Sequence, residues 1–190
     1  MELIDMLENG HASTARILAG VSPDQLGQPT PCSEWDVRGL INHIVGGAFF
    51  FAAVAETGKP PEGAGGDTDF TAGDMAENYA QAVKADLAAW ARPGALEQMC
   101  ELPFGTMPGQ FALSLHFVDN LTHGWDLARA TGQDETLDPE LCGAAMAMVE
   151  ASISDDIRST QPGAPFGPKV DVADGAAPHE RLVAFLGRHP

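Results

Sequence analysis

Four long stretches of this 190-residue chain repeat their apolar residues at helical spacing, and no stretch keeps the period-two alternation of a half-buried strand. That pattern restricts the chain to an all-α fold, with helices joined by Pro- and Gly-rich loops. Leu3, Met6, Leu7, Gly10, Thr14, Ile17 and Leu18 mark a first helix that ends at Gly20. "VSPDQLGQPTPCSEWD" is a loop, because Pro23, Pro29 and Pro31 do not fit a helix interior. Ser33 followed by Asp36 resembles a capping box, with Asp in place of Glu, and opens a second helix that runs to about Thr57.

"GKPPEGAGGDTDF" has the length and composition of a crossover connector. A third helix carries Met75, Tyr79, Val83, Leu87 and Trp90 along one face. "GALEQMCELPFGTMPG" reads as an extended excursion or hairpin. A fourth helix is expected over 110–131, stopped by Gly132. A fifth covers 139–154, with Leu141, Ala145, Met148 and Val149 on its buried side. "TQPGAPFGPKVDVADGAAPH" is a long irregular run, and "HERLVAFLGR" is a short closing helix. The expectation is one all-α bundle domain over 1–190, since 44% hydrophobic residues suffice for a real core.

The charge of the chain narrows its partners. A formal −17 and a pI near 4.4 argue against nucleic acid and against anionic membrane surfaces. The opening "MELIDMLENGHAS" has neither the charge nor the apolar run of a signal or spanning segment. Cys32, Cys100 and Cys142 form no C-x-x-C, so a reducing cytoplasm is the expected setting. No nucleophile elbow, phosphate loop or dinucleotide fingerprint occurs. Asp67, Asp69 and Asp74 are spaced unlike a calcium loop and read as solvated linker.

Chemistry concentrates in "HFVDNLTHGWDLARATG". His116, Asp119 and His123 fall on neighbouring turns of a helix that is apolar nearly all round and therefore buried. A buried carboxylate needs a partner. One reading is a hydrogen-bond network, His to Asp or Asp to an arginine such as Arg38. The other is a divalent metal held by the Asp-x-x-x-His pair, and spacing alone favours the network. In "GLINHIVGG", His43 precedes Gly46 and Gly47, which cost a helix about 1 kcal/mol each relative to alanine. The glycines make sense if this helix needs space beside His43, for a neighbouring backbone or for a ligand.

"PTPCSEWDVRGLINHIVGG", "FVDNLTHGWDLARATGQ" and "PFGPKVDVADGAAPHERLVAFLGRHP" together resemble the short actinobacterial DinB-like proteins. These are related to the N-terminal domain of mycothiol-dependent maleylpyruvate isomerase. The resemblance spans nearly the whole chain and implies a DinB-like four-helix bundle, sometimes paired as a homodimer. It also implies a metal site: His43 from the second helix, with Asp119 and His123 from a later one. His116 is not a motif position and reads as a neighbour of the metal ligands or a wall of the cleft.

Two imidazoles and a carboxylate leave a cation with an open position, as in catalytic zinc sites. Zinc is the first expectation, and nickel or iron would also suit these ligands. The resemblance implies mycothiol as co-substrate, bound as its thiolate and attacking a small electrophile in S-transfer or thiol-assisted isomerisation. The isomerase has a further C-terminal domain where this sequence stops, which argues against maleylpyruvate itself as the substrate.

Asp126 reads either as a ligand-orienting residue or as a surface cap. Trp35, Phe50 and Phe51 read either as the substrate mouth or as core. Cys32 lies before a helix start, which favours a reactive thiol, but Glu34 and Asp36 oppose its ionisation and no histidine is close in sequence, so it reads as structural or incidental. The competing function is a non-catalytic bundle that binds a small molecule or partner, with a structural metal or none.

Overall fold

A computed structural model describes residues 1–33, 35–63, 68–161 and 166–190. Glu34 and Asp67 lie outside the described residues, as does part of each irregular connector. The described chain is mostly helical, with six α-helices and one two-stranded hairpin. In order these are α1 (Leu3–Leu18), α2 (Val37–Thr57), α3 (Met75–Trp90), β1 (Met99–Leu102), β2 (Gly105–Pro108), α4 (Gly109–Thr131), α5 (Pro139–Ser152) and α6 (Pro178–Phe185).

The helix limits have local causes. Asp36 caps α2 by accepting from the Gly39 N–H, so the cap is Asp36 itself rather than Ser33. Asp74 accepts from Ala76 and Glu77 and starts α3, and Asp138 does the same for Glu140 and Leu141 in α5. Gly58 and Gly132 end α2 and α4 in the left-handed conformation, at φ 73° and 69°. The excursion after α3 is an antiparallel hairpin in register from Met99↔Pro108 to Leu102↔Gly105.

α4 packs against α1, α2 and α5, while α3 packs against α1 and α2. Phe117, Leu121 and Trp125 of α4 join Leu7 of α1, Trp90 of α3 and the inner faces of α5 and α6 in one core cluster. Ile17, Leu40, Ile41, Val45, Tyr79 and Leu127 form a second cluster beneath the start of α2. α2 is long and apolar enough to cross a bilayer, and here it packs against α3 and α4. The fully buried face of α3 is Tyr79, Ala82, Asp86, Ala89 and Trp90, rotated from the expected stripe; Met75, Val83 and Leu87 sit at its margins.

At Gly124 a side chain would meet Thr14 Oγ1 at 2.5 Å, so α1 and α4 approach closely there. This contact sets the depth at which α4 lies, and with it the level of the histidines it carries.

Candidate metal centre

α2 and α4 run antiparallel where they meet: His43 lies beside Asp119 and His123, and eight residues later Phe51 lies beside His116. His43 Nε2 is 3.2 Å from Asp119 Oδ2 and 3.4 Å from Oδ1, and His123 Nε2 is 3.3 Å from Oδ1. The ligand atoms of His43, Asp119 and His123 all lie within 4.8 Å of one another. Donors held 2.0–2.1 Å from a tetrahedral zinc sit about 3.3 Å apart, so the spacing and the N, N, O donor set fit a divalent cation. His43 and Asp119 are about a third exposed (31% and 36%), so the centre opens to solvent on one side.

Burial opposes ionisation of Asp119, but the two imidazoles outweigh it and hold its carboxyl well below the usual range. Burial likewise disfavours a charged His123; the Asp119 carboxylate overrides it, and the hydrogen bonds His123 makes to Asp119, Asp126 and Cys32 add to the rise in its pKa.

Behind His123 stands a second layer of contacts. Asp126 is fully buried, and its Oδ2 takes the Nδ1–H of His123 at 2.9 Å. That bond leaves Nε2, the nitrogen facing Asp119, as the one that can give up its proton and take a cation. Arg188 grips the same carboxylate twice, Nε to Oδ1 at 3.2 Å and Nη2 to Oδ2 at 2.9 Å. Burial raises the Asp126 pKa, but His123 and Arg188 more than offset this and bring it to about 2. Of the two readings of Asp126, the orienting one agrees with this geometry.

Cys32 is the surprise. Its Sγ lies 3.3 Å from Asp126 Oδ2, 3.5 Å from Arg188 Nη2 and 3.8 Å from His123 Nδ1. It is therefore part of this layer, the structural of its two readings and not the incidental one, although 91 residues separate it from His123. The loop that carries it also delivers Trp35, whose ring stacks on His43 at 4.4 Å and meets His123 edge-on at 5.7 Å. Thr30 Oγ1 donates to the carbonyls of Cys32 and Trp35 and shapes that loop. Of its two readings Trp35 takes the one beside the centre, while Phe51 stacks on His116 at 4.4 Å instead.

His116 does not border this centre. With His11 of α1 and Asp86 of α3 it forms a separate, fully buried triad. Both imidazole Nε2 atoms meet Asp86 Oδ2, at 2.7 Å from His116 and 2.9 Å from His11, which are hydrogen-bond lengths. Asn120 donates to the Tyr79 hydroxyl at 2.7 Å, and that hydroxyl lies 2.8 Å from His11 Nδ1. Arg38 pairs with Asp69 and Thr71 at the surface and not with Asp119. Sequence reading missed His11 and Asp86, although each sits on the apolar face of its own helix. A recess of about 460 Å³, lined by residues of 170–176 with Glu180 and His189, contains none of the residues of either cluster.

Comparison with known proteins bears on this arrangement. The family described as "Mycothiol maleylpyruvate isomerase N-terminal domain" matches residues 7–128, a span that includes His43, Asp119 and His123. Two uncharacterized proteins from strains of Mycobacterium tuberculosis are each 39% identical over 178 residues, 92% of this chain and 91% of theirs. The crystal structure of the mycothiol-dependent maleylpyruvate isomerase superposes with a TM-score of 0.62 at 17% identity. The match covers 83% of this chain and 71% of that one, and it shows a shared fold.

Proposed function

Because this chain belongs to the family of mycothiol maleylpyruvate isomerase N-terminal domains, we propose that it is a divalent-metal-dependent enzyme acting with mycothiol. It activates that thiol for S-transfer to a small electrophile, or for thiol-assisted isomerisation of one. In this reading residues 1–190 form one DinB-like four-helix bundle domain built on α1–α4. His43, Asp119 and His123 hold the ion, with zinc as the first candidate and nickel or iron as alternatives.

The observation that carries the reading is the convergence of these three donors from two helices, with one side open to solvent. A bound ion supplies Lewis acidity that keeps a thiol deprotonated near neutral pH. The protein's own side chains do the rest. Asp126 fixes the tautomer and orientation of His123, and Arg188 neutralises Asp126 so that it can remain ionised while buried. Trp35 stacks on His43 and restricts the swing of its ring.

Metal analysis of protein purified without chelator tests this reading, combined with calorimetric titration of mycothiol. About one ion per chain is expected, lost in His43→Ala, Asp119→Ala and His123→Ala, with mycothiol binding only to the metal-loaded form. Failure to take up zinc, nickel or iron on reconstitution overturns the metal. Retained metal without mycothiol binding overturns the thiol chemistry.

A further inference from the structure

Gly47 lies one turn beyond His43 on the same face of α2. A β-carbon placed at Gly46 would rest against Phe70 at 3.5 Å, an ordinary contact, whereas at Gly47 it would meet nothing within 4 Å among the described residues. Glycines kept for tight helix packing are surrounded by their neighbours, as Gly124 is by Thr14. Gly47 is not, so packing gives no reason for a residue that weakens the helix.

What flanks the open space is apolar. Phe50 shares the face of His43 and Gly47. On the antiparallel α4, Val118 falls between the two points where α2 and α4 meet, His116 with Phe51 and Asp119 with His43, and Leu115 falls one residue beyond. Phe50, Leu115 and Val118 are half-buried against the core. α2 has no charged side chain between Arg38 and Glu56 other than His43. On α4, His116 and Asp119 are the only titratable groups before His123, and His116 is tied to Asp86. Arg188, the cation beside His123, is engaged twice by Asp126. Apart from the ion itself, a polycarboxylate would find no free counter-charge here among the described residues, and an uncharged body would lose no solvation.

We propose that Gly47 is a specificity-determining residue: the space over it receives the uncharged, apolar body of the electrophile, between Phe50 and the Leu115–Val118 pair. This inference rests on the thiol-activating reading of the centre and adds the class of substrate. With 1-chloro-2,4-dinitrobenzene as probe, the mycothiol sulfur bonds to the ring carbon, chloride leaves with the electron pair, and the thiol proton passes to solvent.

The test uses zinc-loaded full-length protein and the variants Gly47→Ala and Gly47→Leu. Both gain helix propensity and clash with nothing at Cβ, so their Tm values should equal or exceed the parent's. Gly47→Leu should lower kcat/KM for the aryl chloride about tenfold and change that for the small iodoacetamide less than twofold. Equal losses for both probes, or no loss for the aryl chloride, overturn the proposal. A second arm does not depend on turnover. Toluene should shift the methyl NMR signals of Leu115 and Val118 in the parent but not in Gly47→Leu. No shift in the parent overturns the proposal, whereas a shift without turnover retains the recess and removes the thiol chemistry.

Discussion

Asp126 holds His123 through Nδ1 at 2.9 Å, and the opposite nitrogen of that ring faces Asp119. The ring is thus fixed from behind. Loss of such a supporting carboxylate commonly weakens metal affinity by roughly 10–100-fold. Asp126→Asn should therefore raise the zinc Kd by a factor in that range, measured by competition with a chromophoric chelator. An unchanged Kd would separate Asp126 from the centre.

Arg188 has a different role, since it neutralises a carboxylate with 0% exposure. Removing one partner of a buried pair costs on the order of 3–5 kcal/mol. Arg188→Ala should lower unfolding stability by about that much in urea. The Asp126→Asn, Arg188→Ala double variant should lose much less than the sum, because no charge is stranded.

The inner triad separates stability from chemistry. Asp86→Asn breaks contacts to two histidines in the core and leaves every candidate metal ligand in place. A destabilisation of about 3 kcal/mol or more is expected, with zinc stoichiometry unchanged at saturating metal. Loss of zinc from a still-folded Asp86→Asn would mean that the two clusters are coupled.

The same triad sets an acid response. Burial lowers the His11 pKa in the folded state, so the unfolded chain takes up that proton first as pH falls below about 6.5. Asp86 is held below its usual pKa by the two histidines, against the opposing effect of burial, so its contribution is present above about pH 4 and is lost as pH falls through its lower folded value. Both effects have one sign. Metal-free protein should lose stability progressively from pH 6.5 downward, and His11→Gln should flatten the upper part of that slope in pH-dependent urea titrations.

At the α1–α4 contact, Gly124→Ala should cost roughly 1–3 kcal/mol, because the new methyl meets Thr14 Oγ1. Thr14→Gly removes that oxygen, and the double variant should recover part of the loss. Thermal melts of the four proteins complete the cycle.

The long helices were legible because their periodicity, caps and terminal glycines agree, as Asp74 and Gly132 show at either end of their elements. The His43–Asp119–His123 set was legible only through three motifs in order, since spacing alone also permits a hydrogen-bond network. Cys32 and Arg188 were not legible, because nothing local marks residues that reach Asp126 from 94 and 62 positions away. Asp86 does leave a trace in the sequence: it continues the buried series Tyr79, Ala82, Ala89, Trp90, where an acid is anomalous. His11 does the same between Leu7 and Thr14. Arg38 misled because its charge suited a buried acid, while its real partner, Asp69, belongs to the connector.

His116 and His123 stand seven residues apart on α4, two turns and about 10.5 Å along one face. The inner imidazole is anchored to α1 and α3 through Asp86, and the outer one meets α2. A single rigid rod therefore sets the alignment of both ends, and its roll about its own axis is locked at the dry end, remote from any reagent. Redesign of the wet end can then change ligands or pocket shape without touching the contacts that hold the dry end.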